Sequence, residues 1–293
     1  MAMVRLHLQP PFSSKPLPNP NPSPLPSSEI LTSTSDAGLL FREKLLYLQR
    51  DLHIDASRAL AANPALRSAP LPSLRAASDV LLSHGFLPDD ASRILSHHPS
   101  LLTSDPEDPL IAALRFLRGP VGIPLSHLRR TVLRCPRLLV TSVPNQLQPT
   151  LYFLRRFGFV GSHRITSQTA LLLVSSVEKT LIPKLDFIQS LGFSYKETQK
   201  MVLRSPGLLT FSIENNFKPK WDFLVNEMGR DLKELKEFPQ YFAFSLEGRI
   251  KPRQQMLVES GLSMPLADML KLSDGAFREQ LIDLRIASLD KRL

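Results

Sequence analysis

Seven cations of this 293-residue chain stand at fixed distances from prolines. Lys184, Lys220 and Arg253 directly follow one, Lys218 and Lys251 directly precede one, and Arg134 and Arg204 stand two residues ahead of one. Ammonium and guanidinium groups repeated at one position suit contact with successive phosphates of a nucleic-acid backbone. His97 shares the place of Arg134, whereas Gln168 and Glu237 hold it in two other copies, and Thr150 and Ile182 interrupt the remaining positions. Arg129, Arg130, Arg155, Arg156, Lys196 and Lys200 add charge nearby. An isolated lysine or arginine is usually just solvated. Recurrence in register is what favours a line of phosphate contacts.

Other chemistries find less support. His97 and His98 point to different helix faces and have no cysteine cluster beside them, so zinc is not expected. Asp105, Glu107 and Asp108 are interleaved with prolines and lack a calcium-loop motif. Asp89 and Asp90 follow Pro88, where acids complement the positive end of a helix. Cys135, the single cysteine, precedes a helix-ending proline and reads as a small buried residue, not a nucleophile. Trp221, Phe153, Phe187 and Phe223 recur at a core position. No GxxxxGK[ST] or GxGxxG phosphate cradle occurs. Neither catalysis nor a cofactor nor a metal is expected.

The elements that must position the cations are repeats. Val132–Phe159 contains Pro136, Leu138-Leu139, Pro149, Phe153-Leu154 and Gly158, and these landmarks return every 33 to 37 residues. Pro206, Leu208-Leu209, Pro219, Phe223-Leu224 and Gly229 form one such copy. Pro239, Tyr241-Phe242, Pro252, Met256-Leu257 and Gly261 form the next. A copy between them has Ala170 for its first proline, and two upstream copies have Ala77 and Ala112 for the second. The two landmarks are thirteen residues apart in all six. A fixed period of this length marks a stacked helical array. The first proline ends a helix, the aliphatic pair turns into the core, the second proline opens a new helix, and glycine closes it. Such a unit cannot cover its own apolar face and must stack on its neighbours.

The expected units are 53–85, 86–122, 123–158, 159–192, 193–229 and 230–261. A helix over Leu39–Leu52 caps one end, and residues 262–293 cap the other. Residues 1–38 differ in kind: they are rich in serine and proline, with no acid before Glu29, the composition of a disordered organelle transit peptide. Their four charges cancel, so the array 39–293 keeps the whole formal charge of +9, which favours a polyanionic partner. No apolar run approaches the roughly 18 residues of a membrane span.

The copies CPRLLVTSVPNQLQPTLYFLRRFGF and SPGLLTFSIENNFKPKWDFLVNEMG resemble the mitochondrial transcription termination factor (mTERF) family, in a land-plant form. The resemblance covers about Leu39–Leu293, departing at Ala77, Ala112 and Ala170. It implies an all-α superhelix with two α-helices and a 3₁₀ turn per repeat. It also implies a monomer that binds double-stranded DNA or RNA, alongside other gene-expression proteins, in the chloroplast or alternatively the mitochondrion. Its implied output is transcription termination, transcript and rRNA maturation, or ribosome assembly, without catalysis. A protein-binding scaffold, in which the basic register is incidental, stays open as an alternative; a pentatricopeptide-type array has a similar period but not these internal prolines.

Overall fold

The computed structural model describes residues 29–290, and among them all regular structure is helical. Unit three shows the pattern. Helix Leu125–Arg134 stops before Pro136, a 3₁₀ turn follows over Pro136–Leu139, and a second helix runs from Val143 to Phe157. Proline forces the stop by excluding helical geometry from the residue before it. Cys135 accordingly has φ −142° and ψ 80°, and Ser205 (−136°, 71°) and Phe238 (−130°, 67°) repeat the conformation ahead of Pro206 and Pro239. The turn then drives its paired side chains inward. Leu138 and Leu139, Leu172 and Leu173, Leu208 and Leu209, and Tyr241 and Phe242 are all at most 1% exposed. Full burial of each contributes about 1.5–3 kcal/mol before entropy is counted.

The second helix begins earlier than its proline suggests. Ser142, Ser176, Ser212 and Ser245 each accept a hydrogen bond from the backbone N–H three residues on. Each serine lies seven residues ahead of its proline (Pro149, Pro183, Pro219, Pro252). The proline therefore sits inside a helix, where it lacks an N–H and collides with the carbonyl four residues back. Widening the turn resolves this: the N–H of Leu147 reaches the carbonyl of Ser142, five residues back, at 3.1 Å, and Leu181, Phe217 and Ile250 repeat that bond. Asp105 holds the same place in unit two, seven residues ahead of Ala112, but accepts from the N–H two residues on, that of Glu107, at 3.0 Å.

Each unit closes at a glycine with positive φ. At Gly158, φ is 125°, a conformation that favours glycine, and an added Cβ would lie 2.9 Å from Leu203 Cδ1, so that side chain would have to shift. Its N–H reaches Arg155 O and the N–H of Phe159 reaches Leu154 O, which ties off the helix end.

Unit four departs from the two-helix expectation. Its first helix is absent, and residues 159–169 hold only the short 3₁₀ turn Gly161–His163 and a single turn over 167–169. This stretch, FVGSHRITSQT, lacks helical apolar spacing. Helix Tyr195–Arg204 of unit five instead reaches unit three, where Gln199 Nε2 donates to Phe157 O. At the N-terminal end, helix Glu29–Leu46 starts ten residues before the expected cap and runs into a wide turn, Tyr47–Asp51. The rest of the expected leader, 1–28, lies outside the described residues. Helices Leu266–Lys271 and Asp274–Asp290 close the other end.

Candidate nucleic-acid interface

The register predicts a basic surface line at the position after the second proline. The structure places that position in the seam between units. Lys220 is 6% exposed and its Nζ donates to Phe242 O at 2.7 Å. Arg253 is 2% exposed and donates to Met269 O at 2.6 Å and Leu272 O at 3.0 Å. Lys184 is half-buried, with its Nζ 2.6 Å from Leu209 O. Leu209 and Phe242 hold the same place, three residues past the first proline. These residues lie in the last turn of the 3₁₀ segments Pro206–Thr210 and Pro239–Ala243, whose final carbonyls lack helical donors, and a cation from the preceding unit donates to them. Burial pushes the ammonium pKa of Lys184 and Lys220 down. Where Thr150 replaces the cation, its hydroxyl and the amide of Gln146 both donate to Ser175 O. The seam begins at Lys44, which donates to Leu66 O, Arg67 O and Ala69 O of unit one.

The position before the second proline stays on the surface but is neutralised locally. Lys218 Nζ is 2.7 Å from Glu214, and Lys251 Nζ is 2.5 Å from Glu247, both pairs four residues apart on one helix. The position two residues before the first proline is different. Arg134 is exposed and, among the described residues, has no ion-pair partner; Arg137, one residue past Pro136, is exposed beside the same turn. Arg204 is also exposed, with one guanidinium nitrogen donating to Glu237 O of the next unit.

Around Arg204 a cleft of about 340 Å³ lies between the first helices of units five and six, lined also by Phe193, Glu197, Lys200, Met201 and Lys236. Lys236 Nζ sits 2.8 Å from Glu197. That contact, with the hydroxyl and N–H of Ser194, holds the Glu197 carboxyl at a pKa of about 2. Glu197 therefore stays ionised and offsets one of three cations, Lys200, Arg204 and Lys236, leaving the cleft net positive. Lys200 and Lys236 flank Arg204, but only the folded array brings Lys236 to it from the next unit.

The seven expected residues are thus not one site. Lys184, Lys220 and Arg253 stitch units, Lys218 and Lys251 are paired, and Arg134 and Arg204 lie at exposed turn edges. Between those edges unit four offers Gln168, so the charge is interrupted. The other candidates have structural roles. Asp90 accepts from Leu87 N–H at 2.8 Å and from Arg129, which holds its carboxyl below the usual range. Cys135 is half-buried, and burial raises its thiol pKa. Burial likewise lowers the pKa of His98. Among the described residues no three His, Cys, Asp or Glu side chains converge for a metal, and no helix is long and apolar enough to cross a membrane.

Comparison with known proteins agrees with this architecture. The chloroplastic transcription termination factor MTERF4 of Oryza sativa subsp. japonica is 37% identical over 97 residues, which is 33% of this chain and 19% of that protein. Chloroplastic MTERF8 of Arabidopsis thaliana is 24% identical over 254 residues, 85% of this chain and 50% of that protein. The mitochondrial factor MTEF18 of Arabidopsis thaliana is 36% identical over 87 residues, 28% of this chain and 16% of that protein. The matches thus span from under a fifth to half of these relatives' length. The mTERF family pattern covers residues 120–278, more than half of the chain and all of units four to six. The chain belongs to the mTERF family.

Proposed function

We propose that this chain is a non-catalytic regulator of gene expression in the chloroplast that binds organelle DNA or RNA through its exposed turn-edge cations. The relatives' names, transcription termination factors and mostly chloroplastic, support the setting. The observation that carries the binding surface is the division of charge. The seam cations are occupied by carbonyls, while Arg134, Arg137, Lys200 and Arg204 remain exposed. Phosphate binding by exposed Lys and Arg releases counterions, so affinity falls with salt in proportion to the number of phosphates engaged. The surface charge suits duplex and single strand alike.

The experiment is a filter-binding titration of the full chain against duplex DNA and single-stranded RNA at several salt concentrations. Alanine at Arg134, Arg137, Lys200 and Arg204 together should reduce affinity for every sequence tried. Unchanged affinity and salt dependence in the folded quadruple variant would remove the proposed surface.

A further inference from the structure

A second surface is built from different residues. Between helix Gln148–Phe157 of unit three and helix Ile182–Ser190 of unit four lies a groove of about 490 Å³. Tyr152, Ile182 and Tyr195 stand on it with 63%, 38% and 53% exposure, and Phe153, Phe157 and Leu185 line it more deeply. The groove has a local cause. At neighbouring junctions the first helix of a unit follows directly on the second helix of the unit before, but unit four has no first helix. Tyr195, from unit five, packs its ring edge-on against Phe157 at 6.1 Å and closes one end.

Large exposed rings and aliphatics in one concave site mark a place for an apolar group from another molecule. Charge and shape say which kind. Arg156 lines the groove with its guanidinium 5.7 Å from the Tyr152 ring centroid, and Lys196, next to Tyr195, is exposed. This basic rim favours an acidic occupant. Ile182 and Leu185 suit a leucine or phenylalanine side chain. Asp186, also in the lining, can accept N–H groups such as a polypeptide backbone supplies.

We propose that this groove docks an acidic amphipathic segment of a partner protein, seating an apolar side chain between Tyr152 and Tyr195 and setting carboxylates against Arg156 and Lys196. The site is separate from the turn-edge cations, so one chain can hold nucleic acid and a protein partner together.

The test selects random peptides displayed on phage against the full chain, then measures the survivors on Tyr152→Ser/Tyr195→Ser and on Arg156→Glu. Both tyrosines are more than half exposed, and circular dichroism with thermal melting verifies that the variants fold. Survivors should share an apolar or aromatic anchor flanked by Asp or Glu. They should lose about tenfold or more in affinity on the double variant, as for a hot-spot anchor, and several-fold on Arg156→Glu. Nucleic-acid binding by the double variant should be unchanged, which separates this site from the proposed turn-edge surface. No enrichment, survivors rich in Lys or Arg, or survivors that bind the double variant as well as wild type would each overturn the proposal. So would displacement of the peptides by an oligo-dT strand whose own binding needs the two tyrosines, because that assigns the groove to nucleobases.

Discussion

Lys220 and Arg204 belong to the same unit of the array, and each donates to a carbonyl of the next unit, but only Lys220 buries its charge in doing so. Lys220 points into the seam, is 6% exposed and satisfies the Phe242 carbonyl of the next unit. Arg204 stands at the turn edge, exposed, beside Lys200 and Lys236. Both recur in register with a proline. The difference teaches that recurrence reports any demand repeated in each unit. Where a 3₁₀ turn presents carbonyls to the preceding unit, a donor for them can recur in register just as a phosphate-binding cation would: Lys44, Lys184 and Lys220 fill this place, and Thr150 fills it in unit three. Only burial and partners separate the two demands.

The largest effect should come from the seam. Arg253→Ala or Lys220→Ala leaves buried carbonyls without donors and should cost about 2–3 kcal/mol in urea unfolding. Salt dependence of nucleic-acid binding should not change in either variant. A seam variant that kept full stability but bound phosphate less well would invert the comparison. A smaller effect belongs to the caps. Ser212→Ala removes the acceptor for the Asn215 N–H and should cost about 1 kcal/mol, measured the same way. Because Ser142, Ser176 and Ser245 repeat the cap, their alanine variants should cost similar amounts.

At the turn edge, stability should hardly move. Arg134→Ala and Lys200→Ala alter exposed side chains, and each should shift unfolding by less than about 0.5 kcal/mol. The smallest effect sharpens the picture of the cleft. Lys236 is the main cause of the low Glu197 pKa, so Lys236→Ala should return that carboxyl toward its usual range of about 4.5, followed by NMR titration. The sign follows from linkage. A carboxyl depressed in the folded state contributes stability above its unfolded pKa and loses it as pH falls through the folded value. The wild type should therefore lose a small increment between about pH 4.5 and 2 that is smaller in the variant, where only the Ser194 hydrogen bonds remain.

Much of the fold is legible in the sequence because its punctuation is chemical. Pro136, Pro206 and Pro239 end helices, the paired apolar residues after them are buried, and Gly85, Gly158 and Gly261 take positive φ. Three features are harder to see. The serine caps stand seven residues before each second proline, a visible spacing overshadowed by the proline, which itself has the chemistry of a helix start. The missing first helix of unit four is signalled by the absent proline at Ala170, but the period alone implies a full unit. Lys44 is the seam cation of a half-unit at the N-terminal end: Glu43, Lys44 and Tyr47-Leu48 keep the spacing of Pro149, Thr150 and Phe153-Leu154 without either proline. The site is less legible than the fold. Whether a lysine such as Lys220 faces solvent or a carbonyl depends on the neighbouring unit, and sequence spacing within one unit carries no information about that.

The central claim is that the turn-edge cations, and not the seam cations, meet phosphate. Its most direct measurement is the slope of log affinity against log salt for wild type, for Arg134→Ala/Arg137→Ala/Lys200→Ala/Arg204→Ala, and for Lys184→Met/Lys220→Met. Each phosphate no longer engaged should flatten the slope by about 0.7 for single strands or 0.9 for duplex. The quadruple edge variant should flatten by roughly that amount for every phosphate its four cations engage, and the seam variant should keep the wild-type slope. A folded edge variant with the wild-type slope, or a seam variant with a flattened one, would contradict the account.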